Sequence, residues 1–331
     1  MFITIILVII LFSFLIIAHE FGHFIVARRN GVQVDEFGIG FPPRLFGRKR
    51  GKTLYSINLL PLGGFVRLKG EDGEGEAVSS PDSFASQGTW VKTKILLAGV
   101  TMNLAIAYVI ILGLLMVGIP PLLPGKLPTI GPIKPITTSA QLMVIGVEPG
   151  SLAAQSGLAK GDRLTSVAGE SPATTQELRE ILSKHLGESI TVVRTTNSET
   201  ITRTVVLPKS ASDKGVLGVS TLSESKQHYA WWAAPVAAVV VLFQLILATL
   251  ASFGDLVRSL FTQAKVTEGV TGPIGVTVLF GEVFQYGWTY VLVLLASVSL
   301  SLAVINTLPL PALDGGRLAL ILARRAGVNI P

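Results

Sequence analysis

Residues 2–27 read FITIILVIILFSFLIIAHEFGHFIVA. About 20 apolar residues rising 1.5 Å each cross the hydrocarbon core of a bilayer, so this run predicts a spanning helix. No Lys or Arg precedes it, and a signal peptide would begin with a basic region and end at a small-residue cleavage site. The helix is therefore expected to stay in the mature chain. Inside it lie His19, Glu20 and His23, each costing about 3 kcal/mol or more in lipid unless it has a partner.

The remainder of the chain fits a membrane setting. Of its 331 residues 49% are hydrophobic and only 15% charged, which leaves too little polar surface for an ordinary soluble globule. The formal charge of +6 comes from basic residues beside apolar runs, with no aromatic-interleaved patch, so nucleic acid is not an expected partner and membrane lipid is. With no cysteine there are no disulfides, thiolate ligands or cysteine nucleophiles, and any metal must be held by His, Asp or Glu.

Working outward, the segment 28–92 is rich in Lys and Arg, including Arg28, Arg29, Arg48, Lys49 and Arg50. The positive-inside rule puts it in the cytoplasm and the amino terminus outside. Within it, 53–60 and 64–68 have strand-like composition and are expected to form a membrane-proximal hairpin through Pro61-Leu62-Gly63, followed by a flexible loop over 70–86. A second spanning run covers 95–118, and a Pro/Gly-rich connector follows it over 120–135. From 139 to 222 the composition turns soluble, with β-rich runs at 144–147, 189–194 and 200–206 around a helical stretch at 175–186, predicting a separate α+β domain.

Two further apolar runs occupy 231–253 and 288–310. If both crossed fully, the chain would emerge outside, yet Arg317, Arg324 and Arg325 follow the second and argue for the cytoplasm. The earlier run contains Pro235 and Gln244 and precedes the Gly/Pro-containing stretch 269–275, so it is expected to be interfacial or re-entrant. The predicted fold is a polytopic α-helical membrane protein of about three spanning helices plus that helix, with an inserted extracytoplasmic α+β domain. Its parts are a first membrane half, 1–118, a linker, 119–138, the α+β domain, 139–222, and a second membrane half, 223–331.

On a helix His19 and His23 are four residues apart and share a face, so their imidazoles can take two positions of one zinc tetrahedron. Glu20 points into the same site, where it would take a proton from the attacking water and pass it to the leaving amine. Counting back from Arg28 places His23 about 7 Å and His19 about 13 Å inside the cytoplasmic boundary. His185 and His228 fall on the outer side, which leaves a carboxylate as third ligand. Asp314, at the end of the run 288–310 and on the same side, is the first candidate; its alternative is a turn residue before two glycines, and Glu282, nearer the outer face, is the rival ligand.

His19-Glu-Phe-Gly-His23 combined with Asn306-Thr-Leu-Pro-Leu-Pro-Ala-Leu-Asp314-Gly-Gly316 resembles the site-2 protease family. The likeness extends to Pro61-Leu-Gly-Gly-Phe65, Ala98-Gly-Val-Thr-Met-Asn103 and Gly272-Pro273, and so covers nearly the whole chain. It implies an intramembrane zinc metalloprotease of the cytoplasmic membrane. His19, His23 and Asp314 would bind Zn2+, Glu20 would be the base, and Asn306 and Asn103 would handle substrate or the developing oxyanion. For Asn306 an interhelical hydrogen bond is the alternative.

The stretch Gly146-Val-Glu-Pro-Gly-Ser-Leu-Ala-Ala-Gln-Ser-Gly-Leu-Ala-Lys-Gly161-Asp162 resembles a PDZ domain, a fold that adds peptide strands to a sheet edge. In the family that domain screens substrates by the size of their outer part; a plain spacer is the alternative. The partners implied are single-pass transmembrane proteins such as anti-sigma-factor-like regulators. The family generally continues into another spanning helix where this sequence stops, 17 residues after Asp314, and some relatives carry two PDZ domains. A membrane-anchored PDZ adaptor with an inactive metal site is the reading from another class. A transporter would need the paired repeats and broken helices that this sequence lacks.

Overall fold

A computed structural model describes residues 2–71, 80–119, 127–138, 141–196, 199–210, 216–263 and 273–328. Parts of the expected loop 70–86 and connector 120–135, and most of the stretch 269–275, lie outside these residues. The chain forms two compact units, one of residues 1–111, 242–277 and 294–331, the other of 112–241 and 278–293.

The first unit starts with α1, Phe2–Arg29, a continuous helix whose 28 residues extend about 42 Å. Arg28 and Arg29 sit in its last turn, where cations complement the helix dipole, and Gly31, with φ of 78°, ends it. The strands that follow correct the expected hairpin. Residues 53–60 and 64–68 do not pair with each other; both belong to β2, Thr53–Leu68, whose antiparallel partner is β1, Val34–Arg50. Each strand folds back on itself, so that 34–39 lie between 64–68 and 54–57, and 44–50 flank 53–58. The chain reverses at Gly40, Gly51 and Gly63, all at positive φ. The pairing of 34–50 escaped the sequence because Pro42-Pro43 and the run of Arg and Lys break any two-residue alternation.

The sheet is fastened to α1. Ser13 Oγ donates to Pro61 O at 2.6 Å and accepts from Gly63 N–H at 3.1 Å, while a Cβ on Gly63 would lie 2.9 Å from the Ile16 side chain. Lower down, Phe24 packs edge-on against Phe37 and Tyr55. Val34, Leu68, Phe84, Ile95 and Leu96 complete that core. Lys69 and Lys52 hydrogen-bond the Asp82 carboxylate, which ties the sheet to the segment before α2 and, with Ser80, holds that carboxyl well below the usual range.

Next comes α2, Thr89–Val117, which begins earlier than the apolar run because its first turns carry Trp90, Lys92 and Lys94 without losing helical pairing. The second unit contains the α+β domain. Strands β3, Ile136–Thr137, β4, Gln141–Val147, β5, Arg163–Val167, β6, Ser189–Thr196, β7, Glu199–Val206, β8, Val219–Glu224, and β9, Gln227–His228, form a five-stranded sheet of order β7-β6-β5-β4-β8 and a separate β3-β9 pair. Two helices accompany them, α3, Leu152–Gln155, and α4, Thr175–Lys184. Thr174 caps α4 by accepting from Glu177 N–H, and Leu178, Ile181 and Leu182 turn its apolar stripe onto Leu142, Leu164 and Val192.

The last helices are α5, Ala234–Gln263, α6, Pro273–Phe284, α7, Trp288–Thr307, and α8, Asp314–Arg325. Among the described residues four helices are long and apolar enough to cross a membrane: α1, α2, α5 and α7. Most of the segment 231–253, expected to be interfacial or re-entrant, lies in this one 30-residue helix, α5. Pro235 does not break it because it occupies the first turn, where its missing N–H would have no intrahelical acceptor. A second correction concerns Asp314, which does not end the third span. The helix α7 stops at Thr307 because Pro309 and Pro311 cannot continue it, and Asp314 is the first residue of α8.

Candidate metal centre

α1 carries His19, Glu20 and His23 on consecutive positions of one face and the next turn. α8 brings Asp314 to them. His19 Nε2 lies 3.0 Å from Asp314 Oδ2, His23 Nε2 lies 3.3 Å from the same oxygen, and the two Nε2 atoms are 3.1 Å apart. A tetrahedral zinc with bonds of about 2.0–2.1 Å places its ligand atoms about 3.3 Å from one another. The three atoms fit one such ion. Among the described residues this is the group of His, Asp and Glu that converges in this way. Glu282 belongs to α6 and His185 pairs with Glu188, so neither takes part.

The side chains are held by their surroundings. His23 Nδ1 lies 2.7 Å from the Ile95 carbonyl, which can only accept, so the ring carries its proton there and turns the Nε2 lone pair to the cluster. Asn103, fully buried, contacts His19 Nδ1 through its amide at 3.3 Å. Gly99 leaves room for both rings: a Cβ there would stand 2.4 Å from His23 Nε2 and 2.6 Å from His19 Nε2. Glu20 accepts from Val66 N–H at 3.1 Å, which binds it to the outer edge of the 64–68 strand. Asn306 lines a cleft of about 190 Å³ together with His19, Glu20, Asn103 and Asp314. It makes no side-chain hydrogen bond among the described residues, so the interhelical bond considered for it is not formed.

Sequence reasoning missed Ile95, met Gly99 only as part of the stretch 98–103, and met Val66 only as part of the strand-like run 64–68. Ile95 and Val66 act here through backbone groups that every residue type has, and Gly99 left a signal as a glycine four residues before Asn103 on one helix face.

The turn before Asp314 explains the glycines that follow it. A Cβ on Gly315 would stand 2.3 Å from Thr307 O, and one on Gly316 would stand 2.0 Å from Leu310 O. These are backbone atoms and cannot swing away. Gly316→Ala should therefore displace Asp314 and reduce bound zinc more than tenfold, about 1.4 kcal/mol or more of site free energy. Metal analysis of the purified variant checks this, and wild-type zinc content would refute it.

The sequence profile of peptidase family M50 matches residues 7–330. This chain belongs to peptidase family M50. A Clostridium perfringens protein named as a zinc metalloprotease is 31% identical over 324 residues, covering 95% of this chain and 86% of its own length. The zinc metalloprotease RasP of Bacillus licheniformis is 27% identical over 405 residues, covering 95% and 88%. Among solved structures, the PDZ domain of the SdrC-like protein Lin2157 of Listeria innocua aligns with 25% of this chain and 92% of its own at 25% identity and a TM-score of 0.21. As an M50 peptidase the chain is a membrane zinc metalloprotease of the site-2 type, with a donor set that suits the metal.

Proposed function

We propose that this protease cleaves single-pass transmembrane proteins within or near their spanning segments, as in regulated intramembrane proteolysis. The observation that carries the reading is the metal-fitting triad His19, His23 and Asp314, two of whose members stand inside a helix apolar and long enough to cross a bilayer. A soluble protease has no reason to bury its site there. These residues would hold zinc, which would supply Lewis acidity toward water and a peptide carbonyl. Glu20 takes the proton of that water and returns it to the leaving amine. Asn306, with its amide free in the cleft, donates to the developing oxyanion.

A peptide bond in lipid must leave its helix before it can be cut, and its freed backbone groups then need partners. The strand 64–68 supplies them. It pairs with 34–39 on one side only, and its other edge faces Glu20 through Val66 N–H. Phe41, Leu45, Phe46, Leu59, Leu60 and Leu62 are exposed on the same sheet, as lipid contact requires. Because Val66 N–H points away from its neighbouring strand, Val66→Pro leaves the sheet's own pairing intact. The variant should keep its zinc and lose at least tenfold in cleavage; unchanged cleavage removes the strand from the mechanism.

For topology, the amino terminus is outside, α1 runs inward, α2 outward, and the PDZ-like domain is extracytoplasmic, screening substrates by size after an outer trimming cut. In this reading α5 lies at the interface or re-enters without crossing, so that α7 is the third span, runs inward and leaves Arg317, Arg324 and Arg325 in the cytoplasm. The absence of cysteine makes this directly readable. In intact cells Glu180→Cys should react with a membrane-impermeant maleimide and Lys49→Cys should react only after lysis; the reverse pattern inverts the topology.

The function itself is tested with the purified chain and a single-pass anti-sigma-factor-like protein in liposomes. Cleavage inside the substrate's span, lost with a zinc chelator and regained with Zn2+, is the expected result. Zinc binding without cleavage of any membrane substrate would favour the adaptor reading.

A further inference from the structure

We propose that Asn103 is the positioning residue for His19: its amide oxygen accepts the Nδ1 proton of His19 and so keeps the Nε2 lone pair of that ring free for zinc. The proposal rests on the zinc reading of the site and goes beyond it by giving Asn103 a task other than substrate handling.

The two histidines pose the same problem. Each must bind zinc through Nε2, because those are the atoms that converge with Asp314 Oδ2, and a ring that does so carries its proton on Nδ1. His23 solves it with the Ile95 carbonyl at 2.7 Å. His19 has the Asn103 amide at 3.3 Å from Nδ1. That amide presents its nitrogen to the ring, while its oxygen is buried with no hydrogen-bond partner. With nitrogen toward Nδ1, the imidazole must carry its proton on Nε2, where Asp314 Oδ2 accepts it at 3.0 Å. A half-turn of the amide brings the oxygen to Nδ1, gives the orphaned atom its partner and produces the zinc-binding tautomer.

The neighbourhood is built to hold the amide at this height. Ser299, fully buried on α7, donates to the Asn103 backbone carbonyl at 2.8 Å. Ile95, Gly99 and Asn103 follow at intervals of four along one face of α2, so a single stripe serves His23, makes room for both rings and serves His19.

The test measures zinc affinity of the full chain in detergent by competition with a chromophoric chelator, for wild type, Asn103→Leu, Asn103→Ala and Asn103→Asp. Loss of the acceptor in the Leu and Ala variants should weaken zinc binding by about 10–100-fold. Asn103→Asp, which keeps an acceptor oxygen, should restore it to within a few fold of wild type. Wild-type affinity in the Leu or Ala variant overturns the proposal, as does an Asp variant as weak as Leu. A fall in kcat/KM with zinc affinity unchanged also overturns it, in favour of substrate handling. His19→Ala and His23→Ala run beside them: if these bind zinc as wild type does, it is the metal assignment that fails. Ala is the smaller truncation and keeps the test readable where Leu does not fit.

Discussion

Glu20→Gln should lower peptide cleavage by about 10³-fold while leaving zinc in place. Gln has the shape of Glu and its carbonyl oxygen still accepts from Val66 N–H, so the strand edge keeps its anchor. What it loses is the ability to take a proton from water. His19, His23 and Asp314 are untouched, so metal analysis should give about one zinc per chain in both proteins. Cleavage of a single-pass substrate by the variant at the wild-type rate would end the assignment of Glu20 as base. Loss of zinc together with activity would instead assign Glu20 a structural part in the site.

Gly99→Ala should remove zinc, and activity with it, through a single methyl group. The added carbon would stand 2.4 Å from His23 Nε2 and 2.6 Å from His19 Nε2 and Cε1, distances that real Cβ atoms do not tolerate. Neither ring can move alone, since His23 is held by Ile95 O and His19 meets Asp314. The helix itself gains from the change, because Ala is favoured over Gly in a helix by about 0.5–1 kcal/mol. The two effects therefore separate: thermal stability should hold or rise while bound zinc falls at least tenfold. Gly113→Ala on the same helix is the control, for a Cβ there meets nothing within 4 Å. Equal zinc in the two variants would show that the imidazoles do not depend on the gap at Gly99.

The sequence carried the metal site further than the architecture around it. His19 and His23 were legible because a four-residue spacing on a helix is a statement about geometry, and because ionisable groups in an apolar run need a reason to be there. Asp314 was legible as residue type, though not as the start of α8, since the chain path through 308–313 depends on tertiary contacts. The sheet was half legible. Strand character at 53–60 and 64–68 was visible, but the partner strand 34–50 contains cis Pro42-Pro43, several glycines and a basic run, and its pairing is set by packing on Ile16 and Phe24. The supports of the site, Ile95 O and Val66 N–H, are backbone groups, which no composition can reveal.

The stripe Ile95, Gly99 and Asn103 has a consequence for which sequence changes the chain can absorb. One residue inserted or deleted between Ile95 and Asn103 turns the far part of α2 by about 100°, a full quarter-turn and more. Depending on where it falls, either the carbonyl or the amide would then face away from the gap and the remaining partner. Such a change keeps every functional side chain, the length and the hydrophobicity of the helix, and would pass any inspection of motifs. It would nonetheless unmake the site, so that spacing along a helix bearing no metal ligand is as strict a requirement as the ligands themselves.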